Sequence, residues 1–266
     1  MRDEGLKQAI EAAGGVGMLA RALGIAQPSV SNWSRVPAER VISVELVSGI
    51  DRSVLRPDLY PVLSEASEAR GMEPDPDVDP LDRARGEEYL LLATLLRAAP
   101  SASLLRRLAR LAGDDTALGR AHAVLADAAA RADADDVETE YFDLFIGVGR
   151  GEVLPYASYY LTGFLNERPL AKVRADMTRL GIVRSGQGMD PEDHAATLCE
   201  IMSGLLLGLF QGGPVEAEAF RARHLAPWAP RLFADIARAP SARFYKAVAE
   251  VARVFFEIEA EASGLD

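Results

Sequence analysis

Between residues 61 and 80 the chain carries Pro61, Pro74, Pro76 and Pro80 among Glu65, Glu68, Glu73, Asp75, Asp77 and Asp79. Prolines impose extended backbone on the residues before them, and like charges repel, so residues 73–80 cannot hold a continuous helix. Residues 62–70 can still extend one. A chain interrupted in this way folds as two pieces. The sequence predicts a domain over 1–60, a linker over 61–80 and a second domain over 81–266. Charge divides at the same place. Residues 1–60 hold seven Lys/Arg and seven Asp/Glu, whereas the remainder holds 22 against 33, so the net charge of −11 belongs to the second part. Such an asymmetry points to different partners for the two parts, and an acidic surface attracts basic peptides while repelling nucleic acid.

Helical periodicity fills both parts, and no convincing alternating strand appears. In the first, Leu6, Ala9, Ile10 and Ala13 share a face of a helix over 6–13. A second runs from Val16 to Leu23 and stops at Gly24, as a C′ glycine would stop it. A third is expected over 27–34. Two helices joined by a short turn containing Gly form a helix-turn-helix unit. Its third helix displays Gln27, Ser29, Ser31, Asn32 and Arg35, with Val30 and Trp33 turned inward. Such side chains can read major-groove edges or hold phosphates. The same unit can equally serve as a protein-interaction module.

In the second part, helices are expected over 83–98, 102–111, 117–132, 137–145, 169–180, 191–210, 215–225, 227–237 and 241–259. The segment 191–210 is apolar nearly all round and reads as the buried central helix. The fold class is therefore all-α: a small helix-turn-helix domain and a larger helical bundle. One cysteine, Cys199, excludes an internal disulfide framework. The N-terminus shows no charged-then-apolar leader, and the apolar run 205–210 is too short to span a bilayer. A cytoplasmic protein without a membrane partner is the expectation.

The densest motif runs from Glu140 to Gly163. Three alternating glycines, Gly147, Gly149 and Gly151, break a helix, and an aromatic-rich segment follows Pro155. A second motif is Asp-Pro-Glu-Asp-His (190–194). Here Asp190 is suited to cap a helix beginning at Pro191, with Glu192 and Asp193 favouring its positive end. Ser158, His194 and Asp193 supply the residue types of a hydrolytic triad, but adjacent Asp and His do not easily hold triad geometry. His122, His194 and His224 are scattered, and there is no metal-ligand spacing. No phosphate-binding loop is present. Neither a metal, a cofactor nor a catalytic residue is expected.

Two resemblances follow from these motifs. The runs Leu-Ala-Arg-Ala-Leu-Gly-Ile-Ala-Gln-Pro-Ser-Val-Ser-Asn-Trp (19–33), Val-Pro-Ala-Glu-Arg (36–40) and Leu-Arg-Pro-Asp (55–58) resemble small Cro/YdaS-type repressor domains. That resemblance implies five helices and a DNA-facing set of Gln27, Ser29, Ser31, Asn32 and Arg35. The combination Tyr-x-x-Leu-Phe (141–145), Gly-Arg-Gly-Glu-x-Leu-Pro-Tyr-x-Ser-x-Tyr (149–160) and Asp-Pro-Glu-Asp-His (190–194) resembles the TorD/DmsD/NarJ family. His-Leu-x-Pro-Trp (224–228) and Phe-Tyr (244–245) fit it as well. These are non-catalytic maturation chaperones that bind the twin-arginine signal peptide and apoprotein of molybdenum or tungsten oxidoreductases. The resemblance implies a peptide-binding set of Tyr89, Tyr141, Leu144, Phe145, Tyr156, Ser158, Tyr160, Asp193 and His194. It also implies a formate dehydrogenase client, a possible homodimer, and a hinge over 181–189 that permits helix exchange between protomers. The competing expectation is a DNA-binding regulator whose helical domain senses a client or ligand.

Overall fold

The computed structural model describes residues 3–37, 40–50, 52–56, 77–183 and 190–264. The expected linker lies outside the described residues up to position 76. So do Ala38, Glu39, Pro57 and Asp58 of the repressor-like runs, and residues 184–189 of the expected hinge. Two compact units emerge, one N-terminal and one containing everything described from residue 77 onward. The described residues form helices and no named strand.

The N-terminal unit has helices α1 (Glu4–Ala12), α2 (Val16–Ala22), α3 (Gln27–Ser31), α4 (Val41–Ser48) and α5 (Arg52–Leu55). Asp3 caps α1 through Oδ1, which accepts from the Leu6 N–H at 2.9 Å. Leu6, Ala9, Leu19, Val30, Val36, Val44 and Leu55 form a small core, and Trp33 packs against it half-buried. The third helix is shorter than its sequence pattern: it stops at Ser31, and Asn32 and Trp33 already belong to the turn. Gln27, Ser29, Ser31, Asn32 and Arg35 are all exposed, while Val30 is fully buried.

The larger unit runs α6 (Pro80–Arg97), α7 (Ala102–Leu108), α8 (Ala117–Arg131) and α9 (Ala134–Tyr141). A π-turn (Phe142–Ile146) follows, then α10 (Ala157–Thr162), α11 (Arg168–Arg179), α12 (Ala195–Leu206), α13 (Gly213–His224), α14 (Ala229–Arg238) and α15 (Phe244–Ser263). Side chains of Asp79, Ser101, Thr116 and Asp133 cap α6 to α9, each accepting an N–H of the first turn. Helix α6 starts at Pro80, earlier than the acidic run led us to expect. Proline is tolerated at the first helical position because its missing N–H would have been an orphan there, and Asp79 supplies the cap.

Helix α12 lies along α6 and is the buried centre of the unit. Every one of its residues is buried except Glu200, which pairs with Arg97 at 2.6 Å. Around this pair α8, α14 and α15 complete the core, and Trp228 and Tyr245 are fully buried in it. The beginning of α12 corrects the sequence reading. The helix starts at Ala195 rather than Pro191, and its cap is His194 rather than Asp190. Asp190 is engaged instead by the Tyr156 hydroxyl at 2.8 Å.

Candidate functional site

The site is assembled from the glycine-broken loop after α9 and the segment entering α12. Helix α9 widens into a π-turn, closed by the Gly147 N–H donating to Phe142 O at 2.7 Å. The chain then folds straight back on itself. Glu152 N donates to Asp143 O (3.1 Å) and Val153 N to Leu144 O (2.8 Å). This return leaves no room for side chains at two positions. A Cβ on Gly147, whose φ is +60°, would stand 2.2 Å from Arg150 O, and one on Gly151 would stand 2.6 Å from Leu144 O. Only glycine permits such close backbone approach.

After Pro155 the loop is stitched to the entry of α12. Ala157 N donates to Asp193 O at 3.0 Å, and Ala195 N donates to Pro155 O at 2.8 Å. Together they make a short antiparallel bridge between Tyr156 and His194. Asp193 is 1% exposed, and its Oδ2 accepts both the Ser158 N–H (2.8 Å) and the Ser158 hydroxyl (2.5 Å). That carboxylate sits at the N-terminus of α10, where the helix dipole favours it. Its Oδ1 is the one buried side-chain oxygen among the described residues without a partner. The His194 Nδ1 accepts the Ala196 N–H at 3.1 Å, which assigns the proton of a neutral ring to Nε2. Burial holds the imidazole well below its ordinary pKa. The Tyr156 ring stands edge-on to it at 5.0 Å.

The arrangement is not a hydrolytic triad. Ser158 bonds Asp193 directly, and the acceptor nitrogen of His194 is committed to the backbone of its own helix. A serine nucleophile needs a base within reach, with that base oriented by the third group. The network instead fixes the relative position of two chain segments 35 residues apart.

The remaining expected residues occupy three further places. Tyr141 and Phe145 form an aromatic cluster with Tyr245, at ring separations of 5.0, 5.3 and 6.0 Å. The Tyr141 hydroxyl donates to Leu96 O and Arg97 O at the end of α6, and burial lifts its pKa to about 12. Leu144 is fully buried beneath the loop. Tyr160 stacks against Trp228 at 5.3 Å, donates to Asp235 at 2.9 Å and lies under the Arg231 guanidinium. Beside it, a cleft of about 260 Å³ is bounded by Arg150, Glu152, Tyr159, Asp235 and Arg238. Tyr89 is not brought into this group. It is fully buried in α6, packs on Phe255 at 4.8 Å and donates to Glu259 at 2.8 Å.

Residues 111–234 match the family model described as nitrate reductase delta subunit, a span that contains the π-turn, the folded-back loop and Asp193–His194. The larger unit is thus similar to proteins of the TorD/NarJ type. Residues 6–63 match the family model of the bacterial toxin YdaS, so the N-terminal unit is Cro/YdaS-like. Chaperone protein TorD of Aliivibrio fischeri is 26% identical over 134 residues, covering 47% of this chain and 62% of the relative. That of Vibrio cholerae serotype O1 is 28% identical over 131 residues, covering 46% and 60%. The chain thus spans about three-fifths of the length of the curated relatives it matches. A crystal structure of a redox enzyme maturation protein from Archaeoglobus fulgidus matches with a TM-score of 0.46 and 19% identity, over 65% of this chain and 93% of that one.

In the larger unit two groups of residues escaped the sequence reading. Glu140 is buried, and its carboxylate accepts the N–H groups of Arg243, Phe244 and Tyr245 at 2.7, 3.0 and 2.7 Å. The apolar side chains that face solvent here are Phe142, Ile146 and Val148 on the π-turn and loop, and Leu161, Phe164 and Leu165 at the end of α10. They lie beside motif positions of which Leu144, Ser158 and Tyr160 are buried and Tyr141, Phe145 and Tyr156 half-buried.

Proposed function

We propose that the larger unit is a maturation chaperone that binds the signal peptide and apoprotein of a molybdenum-dependent oxidoreductase before cofactor insertion, and that it catalyses no reaction. The carrying observation is that the family match covers the whole stitched site, from the π-turn to His194. Relatives over this region bear the name chaperone protein TorD. In this reading Asp193, Ser158 and His194 set the frame, while Tyr141, Phe145, Tyr156 and Tyr160 back the wall. The exposed Phe142, Ile146, Phe164 and Leu165 meet the apolar part of the peptide. Excess carboxylates suit a twin-arginine head. The Gly-Arg-Gly-Glu-x-Leu-Pro-Tyr run (149–156) favours formate dehydrogenase as client, and the cytoplasm as the place of action.

Calorimetric titration with a twin-arginine signal peptide and its Arg-Arg→Lys-Lys counterpart tests this. We expect the Lys-Lys peptide to bind at least tenfold more weakly, because lysine cannot form bidentate carboxylate pairs. Equal affinity, or no binding of either, would count against the reading.

A second role attaches to residues 1–60, which we read as a DNA-binding module joined through residues 61–80 to the chaperone domain, 81–266. It is favoured by the exposed polar side chains Gln27, Ser29 and Ser31 of α3 on the other side from the buried Val30. A gel shift on the gene's own promoter region should be weakened by Asn32→Ala or Arg35→Ala. Absence of any shift at low salt would leave this unit as a protein-interaction module, since phosphate contacts tighten as salt falls.

A further inference from the structure

A second cleft, of about 650 Å³, opens between the starts of α6 and α13 and the C-terminal turns of α15. None of the Asp193 network lines it. Its volume lies within the range of sites that hold ligands, about 300–1,000 Å³. Three large apolar side chains from three different helices rim it in solvent: Leu81, Val215 and Ile258, exposed by 69%, 81% and 42%. Single exposed apolar residues are ordinary, but convergence of several on one concave surface marks an interaction site.

The floor is charged and hydrogen-bonded. Glu259, 2% exposed, accepts Arg85 Nε at 2.7 Å, Arg85 Nη2 at 3.1 Å and the Tyr89 hydroxyl at 2.8 Å. Asp82 takes another Arg85 nitrogen at 2.9 Å. Glu218 accepts Arg221 through both oxygens, at 2.8 and 2.9 Å, and Glu88 accepts from His122 at 3.0 Å. Within this network four carboxylates face two guanidinium groups and one imidazole, so carboxylates outnumber their basic partners beneath an apolar rim.

We propose that this cleft docks a basic amphipathic helix of a partner protein, with leucine-type side chains against Leu81, Val215 and Ile258 and one or two lysines beside Glu88 and Glu218. Charge complementarity selects a cationic occupant. The walls are helices, offering no strand edge to an extended peptide. A helix, which satisfies its own backbone, is therefore the fitting shape. A second copy of this chain is disfavoured, because the two copies would bring net charges of −11 together. The proposal rests on the cleft alone and stands whether or not the unit is a chaperone.

Fluorescence anisotropy on the full chain tests it. The probe is a labelled helical peptide of about 14 residues, roughly four turns, with leucines on one face and two flanking lysines. Its control replaces both lysines with glutamine. Binding of the lysine probe should weaken about tenfold in the double variant L81S/V215S, which removes exposed apolar area only. The melting curve of that variant should match the wild type. The glutamine probe should bind about fivefold more weakly than the lysine probe. Failure of the lysine probe to bind, equal binding by L81S/V215S, or equal affinity for both probes overturns the proposal. Sedimentation without peptide covers the alternative occupant: a wild-type dimer abolished by L81S/V215S would assign the cleft to self-association and overturn it too.

Discussion

Glu140 presents its carboxylate to three consecutive backbone N–H groups at the N-terminus of α15, the longest helix of the larger unit. Those donors have no partner inside their own helix, and the positive end of its dipole faces a buried negative charge. Hydrogen bonds to a charged group are worth about 1.5–3 kcal/mol where a neutral one contributes about 1. Glu140→Gln should therefore lower stability by about 2–3 kcal/mol in urea unfolding, with the slope unchanged. Position 140 opened the aromatic motif in the sequence, yet its role was illegible there because its partners lie 103 to 105 residues away. His194 makes a prediction about pH. Burial depresses its folded pKa below the unfolded value of about 6.5, so the unfolded chain takes up the proton first as pH falls. Its contribution is complete above about pH 6.5 and is lost below it. His224, lowered by burial against the Asp176 bond, acts in the same direction, whereas His122, raised by its bond to Glu88, opposes it. His194→Asn keeps a capping acceptor. It should shrink the loss of stability between pH 7.5 and pH 5 by on the order of 1–2 kcal/mol, read from urea midpoints.

Among elements, the loop after α9 carries its own test. Gly151→Ala puts a methyl 2.6 Å from Leu144 O, and backbone rather than a flexible side chain must yield. We expect a loss of about 1–3 kcal/mol together with weaker signal-peptide binding, measured by thermal melting and titration. The spacing of Gly147, Gly149 and Gly151 was enough to show that a helix ends there. The π-turn and the fold-back were not readable, because they depend on which carbonyls the returning strand of chain meets. The start of α12 fails for a related reason. Asp190 and His194 are both acceptable caps on local grounds, and tertiary bonds choose between them: Tyr156 takes Asp190, and Ser158 takes Asp193. Helix periods were legible because amphipathic stripes are local. Tyr89 was misjudged because a buried and a groove-facing tyrosine look alike in a stripe, and only Glu259, 170 residues on, identifies the buried one.

For the molecule as a whole, charge partition is the property most open to measurement. All excess negative charge lies beyond residue 60, so a basic peptide should associate with the larger unit by electrostatic steering. Its association rate should fall at least tenfold between about 20 mM and 500 mM salt in stopped-flow mixing, with a smaller change in the dissociation rate. The all-α class was legible from periodicity throughout, and no described helix is long and apolar enough to cross a membrane. The two tryptophans have a practical consequence. Trp33 packs half-buried on the small core of the N-terminal unit, and Trp228 is fully buried in the other, its Nε1 donating to His224 O at 2.6 Å. Each unit therefore owns one fluorophore, and a Trp33→Phe chain reports by its emission maximum on the larger unit alone, while Trp228→Phe leaves the other as sole emitter. Ligands can then be assigned to a unit by colour, with nucleic acid and peptide titrated into the same cuvette.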